Sequence, residues 1–134
     1  MDKKIVPCIN NVSTMKKWLL FLLLFACSEK KTAAVLSPET FNTNYTASSG
    51  AILLDVRTVE EVNTGALAGA LNIVYDDSFA NKLAALEHKP IFVYCGSGIR
   101  SAKAAAILRE KGYDPVYEMD GGIKAWKAAG LPIQ

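Results

Sequence analysis

Residues 91–112 read "IFVYCGSGIRSAKAAAILREKG" and join a strand pattern to a helix pattern through a short polar loop. The opening apolar run, residues 91–94, is typical of a strand buried on both faces of a parallel sheet. The segment "RSAKAAAILREKG" predicts a helix that ends at Gly112, because glycine favours the backbone conformation that closes helices. Between them lies "CGSGIRS", which places Cys95 at the turn from strand to helix.

This loop contains features that stabilise a negatively charged sulfur. Its glycines permit unusual backbone conformations, so successive amides can point inward and form an anion-binding concavity. The following helix adds free N–H groups and its positive dipole end, and the arginine adds a fixed charge. An inert buried cysteine needs none of these features. Cys95 is therefore the candidate catalytic nucleophile. The candidate anion-binding loop consists of Gly96, Ser97, Gly98, Ile99 and Arg100.

Further strands are predicted on both sides of this stretch. The apolar run "AILLDV" at residues 51–56 predicts a strand buried on both faces. A weaker strand pattern lies at 71–74, and "PVYEM" at 115–119 predicts a further strand. Because these strands alternate with helices through short connections, the sequence predicts an α/β domain with a parallel sheet. Ligands of such sheets lie beyond the carboxyl ends of the strands, which is where Cys95 stands.

The remaining helices are predicted from their boundaries and their periodicity. Ser37 is a candidate N-cap ahead of Pro38 in "SPETF". The acidic residues at 76–77 precede an amphipathic pattern in "DDSFANKLAALEH". The last helix, in "GGIKAWKAAG", ends at Gly130 and is expected to turn Trp126 toward the core.

Composition and charge limit the classes of function. The chain has 134 residues, enough for one domain with a hydrophobic core. After residue 26 it retains 11 of its 15 basic and 12 of its 13 acidic residues, so charge gives no reason to expect a nucleic-acid partner. Cys8, Cys27 and Cys95 form neither a disulfide framework nor a zinc pattern, and His88 is the single histidine. No metal site is expected.

The segment "MKKWLLFLLLFA" at residues 15–26 predicts a secretory signal. Two lysines precede an apolar run that is too short to cross a bilayer, which takes about 20 apolar residues. A buried N-terminal helix is the alternative, but no polar face interrupts the run. Residues 1–14 are interpreted as an upstream extension of the reading frame, with translation starting at Met15.

The end of this segment, "LFAC", resembles the lipobox of bacterial lipoproteins. In that family the signal is cut before the cysteine, which becomes lipidated, so the resemblance implies lipidation of Cys27. The protein would then be exported and anchored to a membrane on the periplasmic or cell-surface side. Residues 27–36 are interpreted as a polar tether between the lipid and the domain.

Three longer segments resemble, in order and spacing, single-domain rhodanese-like sulfurtransferases: "DVRTVEEVNTGALAGALNI", "VYCGSGIRSAKAAAILREKGY" and "VYEMDGGIKAWKAAGLPI". The resemblance covers residues 37–134. It departs from the family at Ala66 and Ala68, where members commonly have His and Pro. It implies a rhodanese-like α/β domain whose central parallel sheet is flanked by helices on both faces.

The resemblance also implies a reaction. Cys95 would take the outer sulfur of thiosulfate or of a persulfide donor and hold it as Cys–S–S⁻ among the amides of residues 96–100. It would then pass the sulfur to cyanide, to a thiol or to a protein acceptor. No metal or organic cofactor is expected.

Structural roles are favoured for the other polar and aromatic residues near the predicted site. Asp55 and Arg57 either support the loop and its anion or form a structural ion pair, and the structural interpretation is favoured. Ser101 is expected to be a helix-terminal hydroxyl, and Trp126 a core residue. His88 is expected to be solvated and not catalytic.

Two alternative functions stay open. Cysteine-loop phosphatases and arsenate reductases resemble this loop but place one residue more between Cys and Arg than the four found here. A shorter loop leaves less room for a tetrahedral oxyanion. The other alternative is a membrane-tethered sulfur carrier or protein-binding module without turnover of its own.

Overall fold

The computed structural model of the chain describes residues 34–134. The predicted upstream extension at 1–14, the signal at 15–26 and the lipidation site Cys27 lie outside the described residues. Within 34–134, no helix is long and apolar enough to cross a membrane.

Five strands of the described chain form one parallel sheet in the order β1-β5-β4-β2-β3. Their bounds are Ala34–Leu36 (β1), Ile52–Asp55 (β2), Leu71–Asn72 (β3), Ile91–Tyr94 (β4) and Val116–Met119 (β5). The central strand β4 pairs with β2 on one side and β5 on the other, and all its residues are buried. This position explains its uninterrupted apolar sequence.

Four α-helices connect successive strands of the described chain, and a fifth follows β5. They are α1 (Pro38–Ala47), α2 (Val59–Asn63), α3 (Phe79–Lys82), α4 (Ile99–Glu110) and α5 (Gly122–Ala128). Ser37 caps α1 as predicted, because its hydroxyl oxygen accepts a hydrogen bond from the Thr40 amide. The helix predicted after residues 76–77 is shorter than expected, since α3 passes directly into a 3-10 turn at Leu83–Ala85.

Side chains alternate between two hydrophobic cores, one on each face of the sheet. Val93 of β4 belongs to the core that also contains Phe79 of α3 and Leu108 of α4. Phe92 belongs to the opposite core, with Phe41 of α1 and Trp126 of α5. Helices therefore cover both faces, and the predicted α/β fold with a central parallel sheet is confirmed.

Two elements differ from the prediction. Residues 34–36, assigned to the polar tether, form edge strand β1, with Val35 in register with Glu118 of β5. A strand of three residues at an exposed sheet edge is too short for its periodicity to be recognised from sequence alone. Helix α2 was not predicted, although Thr58 and Glu61 form a capping box at its start.

Candidate active site

Cys95 directly follows the central strand β4, and α4 begins only four residues later at Ile99. The chain turns into α4 through Gly98, whose φ of 98° is a left-handed conformation that side-chain-bearing residues disfavour. Ser97 and Ile99 are exposed on the rim of this loop, whereas Cys95 is only 1 % exposed. The loop therefore holds the sulfur at its base, at the carboxyl edge of the sheet.

The start of α5 packs against the backbone of the loop. The Ile123 amide donates to the Cys95 carbonyl at 2.8 Å, and the Lys124 amide donates to the Gly96 carbonyl at 3.2 Å. A Cβ atom on Gly122, whose φ is 61°, would lie 2.5 Å from the Cys95 carbonyl oxygen. Only glycine permits this approach. The carbonyls of Cys95 and Gly96 are therefore hydrogen-bonded to α5, whereas the Gly98 amide is hydrogen-bonded to the sulfur.

Hydrogen bonds surround the Cys95 sulfur. The Gly98 amide donates to Sγ at 3.1 Å, and the Ser101 hydroxyl oxygen lies 3.4 Å from it. Burial raises the pKa of the Cys95 thiol, but hydrogen bonds from the Ser101 hydroxyl and from the amides of Ser101, Ser97 and Gly98 outweigh burial. The pKa of Cys95 is therefore lower than that of an ordinary thiol, as the loop sequence predicted.

Arg100 lies at the loop, but its charge is paired. Its two terminal nitrogens contact the two carboxylate oxygens of Glu61 at 2.6 and 2.7 Å. This bidentate bond to Glu61 raises the pKa of Arg100, with a smaller contribution from Cys95. The sequence predicted that Arg100 adds a fixed positive charge at the loop. It could not show the partner, because Glu61 is 39 positions away.

Asp55 and Arg57 form a buried ion pair, with Arg57 Nη2 2.7 Å from Asp55 Oδ2. The same guanidinium donates to the Gly65 carbonyl at 2.8 Å and to the Glu61 carbonyl at 3.3 Å. The pair thus fixes both ends of the segment that contains α2. This geometry favours the structural interpretation, and both Glu61 and Tyr94 connect the pair to the cysteine loop.

The recorded contacts of the other residues considered from sequence are with residues outside the cysteine loop. Trp126 is buried and donates from its indole nitrogen to the Pro132 carbonyl at 2.9 Å. His88 is exposed and stacks on Tyr113 with ring centroids 4.3 Å apart. Ala66 exchanges backbone hydrogen bonds with Gln134. In the part of the chain that the structure describes, no cluster of side chains could hold a metal ion.

Together, the parallel sheet and the hydrogen-bonded cysteine loop define an α/β domain with one low-pKa thiol at the carboxyl ends of its strands. Residues 37–129 match the family described as the rhodanese-like domain. The chain belongs to this family, as its resemblance in sequence implied.

Individual relatives agree with this assignment. The chain is 37 % identical over 90 residues to thiosulfate sulfurtransferase GlpE of Actinobacillus succinogenes, covering 63 % of this chain and 76 % of that protein. The crystal structure of a rhodanese-related protein from Thermoplasma volcanium matches with a TM-score of 0.68 and 29 % identity, covering 75 % of this chain and 97 % of that one.

A third comparison concerns the phosphatase alternative. A Rhodopseudomonas palustris protein of unknown function, described as a possible tyrosine phosphatase, matches with a TM-score of 0.63 and 23 % identity. The match covers 100 % of this chain and 99 % of that one. At this identity the likeness shows a shared fold and nothing more.

Replacing Gly122 with alanine should destabilise the protein and disturb the thiolate. The new Cβ would collide with the Cys95 carbonyl, so the loop must move and its amides must leave the sulfur. Gly130→Ala is a matched control, because Gly130 also has a positive φ, 74°, but has open space around it. We expect about 1–2 kcal/mol of destabilisation for Gly130→Ala and about 1–3 kcal/mol more for Gly122→Ala, measured by urea unfolding.

Gly122→Ala alone should also raise the pKa of Cys95, measured from the pH dependence of alkylation by iodoacetamide. Equal destabilisation by the two variants, with an unchanged thiol pKa, would show that α5 does not shape the loop.

The Ser101 hydroxyl donates to the Gly98 carbonyl at 3.1 Å and lies 3.4 Å from Sγ, so it can turn to donate to the thiolate once Cys95 ionises. Replacing Ser101 with alanine removes this donor and should raise the pKa of Cys95. The Gly98 carbonyl keeps its bond from the Ala102 amide, so the loop should remain folded. Ser97→Ala is the control, since it removes a hydroxyl on the rim and retains the amide. Ultraviolet titration of the thiolate in both variants measures the change, and equal pKa values would exclude a role for Ser101.

The same titration has a consequence for stability. A thiol whose pKa is lower in the folded state contributes stability that is complete above its unfolded-state pKa and is lost as the pH falls through the folded-state value. Because Ser101→Ala should bring the folded-state pKa of Cys95 closer to the unfolded-state value, it should reduce the gain in free energy of unfolding between these two pKa values. Urea unfolding at a series of alkaline pH values measures this gain.

Proposed function

We propose that this protein is a sulfurtransferase that moves a sulfane sulfur from thiosulfate or a persulfide to a thiophilic acceptor through a Cys95 persulfide. The observation that carries the proposal is the hydrogen bonding of Cys95, whose sulfur accepts from the Gly98 amide at 3.1 Å and lies beside the Ser101 hydroxyl. Relatives named as sulfurtransferases support the same reaction class.

In the first half of the reaction, the Cys95 thiolate attacks the outer sulfur of thiosulfate. The new S–S bond forms as the original S–S bond breaks, and its electron pair leaves with sulfite. The product is Cys–S–S⁻, which carries its negative charge on the terminal sulfur. The loop amides, of which those of Ser97 and Gly98 already bond Sγ, would stabilise this anion.

In the second half, cyanide or a thiolate attacks the terminal sulfur. The S–S bond to Cys95 breaks, thiocyanate or a new persulfide leaves, and the Cys95 thiolate is regenerated. The two half-reactions require neither an electron acceptor nor a metal, because each exchanges one sulfur between two nucleophiles. Such double displacement gives ping-pong kinetics.

Two features disfavour phosphatase chemistry. Only four residues separate Cys95 from Arg100, and a loop this short leaves less room for a tetrahedral oxyanion than the five-residue spacing of cysteine-loop phosphatases. In addition, the Arg100 guanidinium is occupied by Glu61, so a phosphate would have to compete with a bidentate carboxylate.

Cys95→Ala should remove nearly all thiocyanate formation from thiosulfate and cyanide, a loss of about a thousandfold or more, because the persulfide cannot form. His88→Ala serves as the control and should retain activity, since His88 lies away from the sulfur. Mass spectrometry of the wild-type protein after incubation with thiosulfate alone should show one added sulfur on Cys95.

Unchanged turnover in Cys95→Ala would remove Cys95 from the mechanism. A trapped persulfide without turnover would identify a sulfur carrier instead of an enzyme, and release of phosphate from an aryl phosphate would favour the phosphatase alternative.

We also propose that residues 15–26 are a signal peptide and that Cys27 carries lipid, so that the domain is anchored to a membrane on the exported side. The support is the sequence alone: two lysines, a short apolar run, and "LFAC" at the cleavage position.

Cys27→Ser should abolish incorporation of labelled fatty acid and move the protein from the membrane fraction to the soluble fraction. Cys8→Ser should change neither, because residue 8 would precede the start of translation. Fatty-acid labelling that persists in Cys27→Ser would contradict the lipidation site.

A further inference from the structure

Glu61 and Arg100 form an ion pair beside the nucleophile, although neither residue is fully buried. Both carboxylate oxygens of Glu61 are bonded to Arg100, at 2.6 and 2.7 Å. A Cβ atom on Gly96 would lie 3.2 Å from Arg100 Nη2 and 3.6 Å from Glu61 Oε1. The pair therefore rests against Gly96, the residue that follows Cys95 in the loop.

Backbone contacts fix the position of Glu61. Its carboxylate accepts a hydrogen bond from the Thr58 amide at 3.1 Å, and its own amide donates to the Thr58 hydroxyl. Its carbonyl accepts from the buried Arg57. Arg100, together with the Thr58 amide, lowers the pKa of Glu61 to about 2, so the carboxylate is charged throughout the working pH range.

We propose that Glu61 is a positioning residue that sets donor specificity: by holding Arg100 in a neutral pair, it disfavours dianionic donors and favours monoanionic sulfane-sulfur donors. This inference rests on the proposed sulfurtransferase function. Thiosulfate carries two negative charges and gains affinity from a free guanidinium. A thiosulfonate or a persulfide carries one charge and depends more on the loop amides, which Glu61 does not occupy.

Methanethiosulfonate is a suitable probe, because it has the shape of thiosulfate with a methyl group in place of one charged oxygen. The Cys95 thiolate attacks its outer sulfur, the S–S bond breaks, and methanesulfinate leaves with the electron pair. The product on the enzyme is the same persulfide that thiosulfate gives. Any difference between the two donors therefore arises in the first half-reaction.

Glu61→Gln in the full chain is the principal test. Glutamine can still accept from the Thr58 amide, but it removes the negative charge next to Arg100. We expect the KM for thiosulfate to fall by about fivefold, the effect of one exposed ion pair, while the KM for methanethiosulfonate changes much less. The kcat values should stay close to those of the wild type, because Cys95 and its donors are retained.

Two variants act as controls. Glu60→Gln removes the same charge from the exposed neighbour on α2, a residue that is not the partner of Arg100, and should leave the ratio of the two KM values unchanged. Glu61→Asp keeps the charge and should keep the ratio near that of the wild type. A purely structural role for Glu61 predicts equal losses for both donors in Glu61→Gln.

The salt dependence of KM in the wild-type protein is a second test, and it needs no substitution. If Arg100 is neutralised, salt should raise the KM of both donors to a similar extent. A steep rise for thiosulfate alone would reveal a free cation and overturn the inference, as would an unchanged KM ratio in Glu61→Gln. Absence of sulfur transfer from either donor would instead refute the proposed function itself.

Discussion

The site depends on the hydrogen bonds between the start of α5 and the backbone of the cysteine loop. By engaging the carbonyls of Cys95 and Gly96, the amides of Ile123 and Lys124 keep those dipoles bonded away from the sulfur. The amides that follow are then directed to Sγ, with the Gly98 N–H at 3.1 Å. A thiolate at this position requires that arrangement, because burial by itself opposes ionisation.

Two ion pairs of different burial link the sheet to this loop. Asp55 and Arg57 are buried at the end of β2, where the loss of either partner would leave an uncompensated charge costing about 3–5 kcal/mol. Glu61 and Arg100 are partly exposed, and such pairs contribute about 1 kcal/mol or less. The first pair is therefore a rigid support for α2. The second pair can be altered at little cost to the stability of the fold.

Burial and reactivity are combined at Cys95. The residue belongs to a hydrophobic core and is almost inaccessible, yet hydrogen bonds lower the pKa of its thiol. In the sulfur transfer proposed above, a donor would have to reach this buried sulfur past the exposed residues Ser97 and Ile99. This geometry suits a transfer in which one atom enters the loop while the rest of the donor stays outside.

The sequence by itself determined the local framework. The apolar run of β4, the glycine-containing turn and the amphipathic α4 are encoded by neighbouring residues, so the position of Cys95 at a strand-to-helix turn was predictable, as was the alternation that gives a parallel sheet. Only the tertiary structure revealed the pairing of Arg100 with Glu61, the approach of Gly122 to Cys95, and β1. Each of these contacts joins residues that are far apart in the chain. No local sequence pattern specifies the distant partner of a charged side chain, a closely packed glycine or a short edge strand.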